Sequence, residues 1–316
     1  MAEFLYRRMV LAAKKETTEG TANAPVGADA NLLVEDVKFV PDIDQHARKP
    51  LSNDLSAYPS IAGMKKARLT CKVELKGSGA AGTAPAIGKL IKACGFSETI
   101  VPATSVAYAP LTLAVDSLTI DLFSVPASGN NVRERMVGAR GTWKIDAKVG
   151  QPVYLEFTFT GAHVAAVDAA GLTPSGLETT LPQAFLSTAF SMHGFATHKV
   201  SMFAIDWGAQ LAYRTDISLA GGVLSSLIVD RTPTFAFDPE KELIATHDYY
   251  GKMNSNAEGA LSVAIGATAG NICTLAAPKA QYTKVEPGSR DGLGIYTVSG
   301  QFNRSSGNDE LTFTFT

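Results

Sequence analysis

Cysteine is scarce, with only Cys71, Cys94 and Cys273 in 316 residues. Their wide spacing leaves no disulfide framework and no CxxC metal knuckle, and it suits a reducing compartment. Charge is also sparse and balanced: charged residues make up 18%, with 28 basic against 30 acidic and a net charge of −2. That balance argues against a protein that grips nucleic acid by neutralising phosphates, which needs a basic surface, and leaves room for one small basic patch. No stretch reads as a membrane span, because residues 179–197 hold too many polar groups and 217–229 is too short. The start, MAEFLYRRMVLAAKKE, interrupts its apolar stretch with Arg7 and Arg8 and makes a poor signal peptide. A soluble protein assembled in a cytoplasm is the expectation. Of five histidines, His193 and His198 lie five apart, which fits neither one helix face nor one strand face, so they read as loop or surface residues rather than ligands. Apolar residues, by contrast, make up 46%, enough for a real core, and the length suggests about two domains.

The dominant period is two. In residues 68–76, Leu69, Cys71, Val73 and Leu75 alternate with Arg68, Thr70, Lys72, Glu74 and Lys76. Val153, Leu155, Phe157 and Phe159 alternate with Tyr154, Glu156, Thr158 and Thr160, and the chain closes on Leu311, Phe313 and Phe315 against Thr312, Thr314 and Thr316. Strict alternation marks strands with one buried and one wet face, the pattern of antiparallel sheets. Two short helices are predicted. One runs over 85–93, with Thr83 as N-cap, Ile87, Leu90, Ile91 and Cys94 on one face and Gly95 as stop; the other runs over 239–250, with Asp238 as N-cap and Pro239 at the first position.

The order of elements repeats. Each half reads as strand, helix, further strands and a closing hairpin: GTWKIDAKVGQPVYLEFTFTG with a turn near Gly150, and GQFNRSSGNDELTFTFT with a turn near Gly307. Residues 30–163 and 197–316 are expected to share a fold. A period near half the chain is domain duplication, giving expected domains 1–165 and 166–316 with the boundary in 165–183.

Catalytic motifs are weak. Gly77, Gly79 and Gly82 have GxGxxG spacing between a strand and a helix, with Glu98 downstream, but the preceding strand alternates in polarity and no β-α-β series follows. A flexible loop, in which alanine at Gly77 or Gly79 costs about 1 kcal/mol or less, is the favoured reading. A nucleotide-binding enzyme using this loop stays open as the alternative, as does a β-sandwich adhesin or carbohydrate-binding virion module. No GxSxG or HExxH occurs, and no catalytic, cofactor or metal residues are assigned. The segment 41–59, PDIDQHARKPLSNDLSAYP, reads as a long polar loop, and long loops are functional or disordered.

The stretches LAAKKETTEGTANAPVGADANLLVEDVKFVP, GMKKARLTCKVELKG, APAIGKLIKACGF, GARGTWKIDAKVGQPVYLEFTFTG and VDRTPTFAFDPE resemble phage tail tube proteins over most of the chain. The resemblance implies a mainly β protein: two tandem antiparallel β-sandwich domains, each with one flanking helix. It further implies inner strands that join those of neighbours into a β-lined ring, and rings stacked around a tape-measure protein into a tube that later passes DNA. Simple members carry one such domain and form sixfold rings, whereas this chain reads as carrying two.

The resulting expectation is a structural virion protein, assembled in the host cytoplasm, with no cofactor. Three chains would form a pseudo-sixfold ring, and other partners would be tail-tip and terminator proteins. In the 41–59 loop, Asp42, Asp44, Arg48, Lys49, Asp54 and Tyr58 are the expected inter-ring arm residues. Asp121, Glu156 and Glu310, on polar strand faces, are the expected lumen-facing acids.

Overall fold

The computed structural model describes residues 3–186 and 188–316 of the chain. The first half carries β1 (Val10–Lys15), β2 (Val34–His46), β3 (Ile61–Glu74), α1 (Gly88–Ala93), β4 (Phe96–Val101), β5 (Ser105–Pro110), β6 (Leu118–Ser124), β7 (Asn131–Lys148) and β8 (Tyr154–Ala169). The second carries β9 (Ala189–Met192), β10 (Met202–Asp206), β11 (Ala209–Thr215), β12 (Val223–Arg231), β13 (Thr234–Phe237), α2 (Tyr249–Asn254), β14 (Glu258–Ile265), β15 (Cys273–Arg290), β16 (Leu293–Phe302) and β17 (Thr312–Phe315). The strand ladders are antiparallel throughout, as the alternating pattern requires. Leu69, Cys71 and Val73 are buried on β3 while Arg68 is exposed and Thr70 and Lys72 are half-buried.

One order of neighbours occurs in both halves. In the first it is β2-β3-β8-β7-β6-β1, and in the second β10-β13-β16-β15-β14-β9. The halves are stitched together twice. β10 pairs with the C-terminal end of β7, from Met202↔Lys148 to Asp206↔Lys144, and β17 pairs with β5. A single hydrophobic cluster runs through both. At its centre the Trp143 and Trp207 rings stack with centroids 5.9 Å apart, Phe96 lies 4.5 Å from Trp207, and Phe313 meets Trp143 edge-on at 4.9 Å. The Trp207 indole N–H donates to the Cys94 carbonyl at 2.9 Å, tying this second-half ring to the end of α1.

Three local expectations are corrected. The segment 300–316 is not a hairpin: β17 lies along β15 and β5, and β16 along β15 and β13. The hairpin turn is at Asp291-Gly292, where both residues take positive φ (51° and 84°). That is the geometry a two-residue turn between right-twisted strands demands. The second helix begins ten residues later than expected. Asp248 caps it, accepting from the Gly251 N–H at 2.7 Å, whereas Asp238 is held by the Ser201 and Met202 N–H groups and by Arg290. The first helix starts at Gly88 without a side-chain cap, although Ile87, Leu90, Ile91 and Cys94 are buried as their spacing requires.

Candidate assembly surfaces

Strands β2, β3, β8, β7, β10, β13, β16 and β15 are consecutive neighbours in one sheet. Both ends of this run are open. Among the described residues β2 pairs only with β3, and β15 beyond Gln281 only with β16. An open strand edge presents a row of unpaired N–H and C=O groups, a template for another strand.

One face of the run covers the core; the other is wet except where the ribbon of β11 and β12 lies over it, with Arg140 donating to the Ser226 carbonyl at 2.6 Å and Thr160 meeting the Ser226 hydroxyl at 2.8 Å. Across the wet face opposite charges interleave. Lys72 Nζ lies 3.0 Å from Asp36 and 3.3 Å from Glu156, Lys144 lies 2.7 Å from Asp206, Lys148 lies 3.6 Å from Asp146, and Lys284 lies 2.9 Å from Glu286. In register, Lys72, Glu156, Lys144 and Asp206 form one row across four strands. Exposed pairs of this kind add little stability, so their consequence is electrostatic: no run of free cations builds up.

Of the expected lumen acids, Glu156 stands on this face and is half exposed. Asp121 does not. It is 1% exposed on β6, where Arg135 donates to both its oxygens at 2.6 and 2.7 Å, so its charge is spent inside the protein. Glu310 precedes β17 rather than lying on a strand, and it pairs with Arg231 at 3.2 Å.

The expected loop 41–59 is partly strand. Asp42 and Asp44 belong to β2 and flank Lys66 at 3.3 and 2.8 Å, because β2 and β3 continue as a two-stranded ribbon up to His46↔Ile61. Arg48, Lys49, Asp54 and Tyr58 lie in the irregular tip beyond it, where Leu51 and Leu55 are fully exposed.

The glycine loop is not free. The Gly77 N–H donates to Asn271 Oδ1 at 2.7 Å and the Gly79 N–H to the Gly270 carbonyl at 3.0 Å. A Cβ at Gly77 would run into that same carbonyl. These glycines allow backbone of the two halves to touch, and their donors are occupied rather than presented to a phosphate.

His193 and His198 lie in loops, as expected, but are half-buried rather than on the surface. With His247 they converge on Tyr249 and Tyr282: His198 to His247 is 5.0 Å between ring centroids and His193 to Tyr282 is 4.5 Å. Burial pushes all three imidazoles down to about 4. Their sequence separation gave no sign of this, since strands and loops far apart in the chain bring them together. Among the described residues no cluster has a metal-binding arrangement. No helix among them is long and apolar enough to cross a membrane.

The model of the phage tail tube protein family matches residues 7–316. The chain belongs to that family. No curated protein matches it. A phage tail tube protein is a structural component of the virion tail, and the mainly β, antiparallel architecture found here is the one expected.

Proposed function

We propose that the protein polymerises into rings that stack as the hollow tail tube, through which the genome is delivered. The observation that carries this is the run of eight neighbouring strands with an open edge at each end and one face already covered. A sheet that closes by joining such edges has only one way to face. The core side is occupied by β1, β6, β9 and β14 and by the helices, whereas the other face carries only the β11–β12 ribbon over Arg140 and Thr160, so the open charged part of that face looks inward. Glu156, Asp206, Asp36 and Asp146 then neutralise Lys72, Lys144 and Lys148 on the channel wall. A wall whose cations are mostly paired displaces few counterions from passing DNA and holds it weakly.

The twice-used strand order supports reading the halves 1–165 and 166–316 as two copies of one tube domain. If a ring takes six domains, three chains supply them. The 48–58 tip, with Leu51 and Leu55, is the reach between successive rings, a head-to-tail contact that grows a filament. The tape-measure protein would fill the channel before DNA, and tail-tip and terminator proteins would cap the ends. Electron microscopy of the purified protein tests this: tubes with three chains per ring are expected, and monodisperse monomer at high concentration would refute it.

A further inference from the structure

The contact between the two halves of one chain is a template for the contact between two chains. Two rows of register partners cross the sheet. In the first half Val40, Arg68, Thr160 and Arg140 are neighbours on β2, β3, β8 and β7. In the second, Ala204, Ala236, Ser299 and Lys284 are neighbours on β10, β13, β16 and β15. The rows are anchored by the same irregularity. β7 carries an extra residue between Val137 and Arg140, β15 carries one between Tyr282 and Lys284, and a glycine, Gly161 or Gly300, sits opposite each bulge. Each of those glycines lies where a Cβ would strike a carbonyl of the bulged strand, Val137 or Gln281. A bulge fixes register, so the two rows correspond residue for residue.

Along β7, beyond Arg140, the edge is taken by β10 of the second half: Lys144↔Asp206, Ile145↔Ile205 and Asp146↔Ala204. Along β15, beyond Lys284, the corresponding edge has no strand on it, and in the first half β2, the counterpart of β10, has none on its outer side. The vacant acceptor and the vacant donor are thus the two ends of the same chain. We infer that β2 of a second copy seats on β15, with Asp42 opposite Gly288, Pro41 opposite Ser289 and Val40 opposite Arg290. This rests on the tube reading and names its lateral seam. Side-chain parity agrees, since Val40, Asp42, Gly288 and Arg290 fall on the wet face while Phe39 and Pro41 take the places that Phe203 and Ile205 fill inside the chain. In the internal seam Phe203, Ile205, Ile145 and Ala147 are at most 2% exposed. Phe39 is only half-buried and Pro41 is exposed, as expected of a seam lacking its other side. The contact is heterologous, so it propagates around a ring rather than stopping at a dimer.

The test is oxidative cross-linking of the full chain carrying Asp42→Cys and Gly288→Cys. Native Cys71, Cys94 and Cys273 are buried, so background is low. Lys144→Cys with Asp206→Cys is the internal control, which must close within one chain. The expected result is inter-chain multimers for the double variant and none for either single variant. Tubes without cross-links, with the control oxidised, overturn the seam and leave the tube reading standing. Cross-linked closed rings without tubes support the seam and refute the tube, and monomer without tubes refutes both. If the double variant misfolds, hydrogen exchange on the wild type decides: amides of 38–42 and 286–290 should slow at least tenfold on assembly, and unchanged exchange overturns the seam.

Discussion

His193, His198 and His247 are neutral in the folded chain because burial disfavours the imidazolium. In the unfolded chain they take up protons near pH 6.5, but in the folded chain only near 4. The unfolded state therefore binds more protons in between, and stability falls as pH drops from about 6.5 towards 4 while staying flat above. Thermal melts should show a level midpoint at pH 7–8 and a steady decline below 6, shallower in His193→Gln. A decline of equal slope in that variant would remove His193 from the account. Gly77→Ala should destabilise by about 1–3 kcal/mol, because the added methyl meets the Gly270 carbonyl and neither backbone segment can yield cheaply. That replaces the sub-kcal/mol effect expected of a flexible loop, and urea titration decides between them. Asp121→Ala should cost about 3–5 kcal/mol, since it strands the buried Arg135 guanidinium. A loss within 0.5 kcal/mol would mean that water reaches Arg135.

At the level of elements, the ribbon made by β2 and β3 and its tip divide the assembly contacts. Deleting 48–58 removes the tip but spares the strand residues 38–42. Folded protein that forms rings yet fails to elongate is expected by microscopy, and normal tubes would show that the tip bridges nothing. On the wet face, replacing Asp36, Asp146, Glu156 and Asp206 by their amides leaves Lys72, Lys144 and Lys148 unpaired. Assembled tubes should then retain double-stranded DNA at low salt and release it as salt rises. The strands that make this face were legible because alternation over 68–76 and 153–160 depends on nothing but the pleat. The acids were only partly legible. Period two places Glu156 and Asp121 equally on a polar face, and the sequence does not show that Asp121 is buried against Arg135 while Glu156 is half exposed. Asp238 and Asp248 are equally good caps by composition, and the choice fell to Arg290 and Ser201, which claim Asp238 through the tertiary fold.

For the whole molecule, the two halves share one core and one sheet, so they should unfold together rather than stepwise. A single calorimetric transition is expected, and two resolved transitions would show that the halves are energetically separate. Cryo-EM of assembled protein should give three chains per ring, with the internal and inter-chain seams alternating around it. Six chains per ring would mean that each chain spans a single position.

Strand class and antiparallel pairing were set by the sequence alone, because alternation is a local property. Which strands are neighbours was decided only in three dimensions. LEFTFT and LTFTFT look alike in sequence, yet Phe157 of the first pairs with Cys71 and Trp143, whereas Phe313 of the second pairs with Leu275 and Tyr108. An amphipathic strand specifies a face but not a partner. The partner is fixed by bulges, turn geometry and the closing of a core to which residues as distant as Cys94 and Trp207 both contribute.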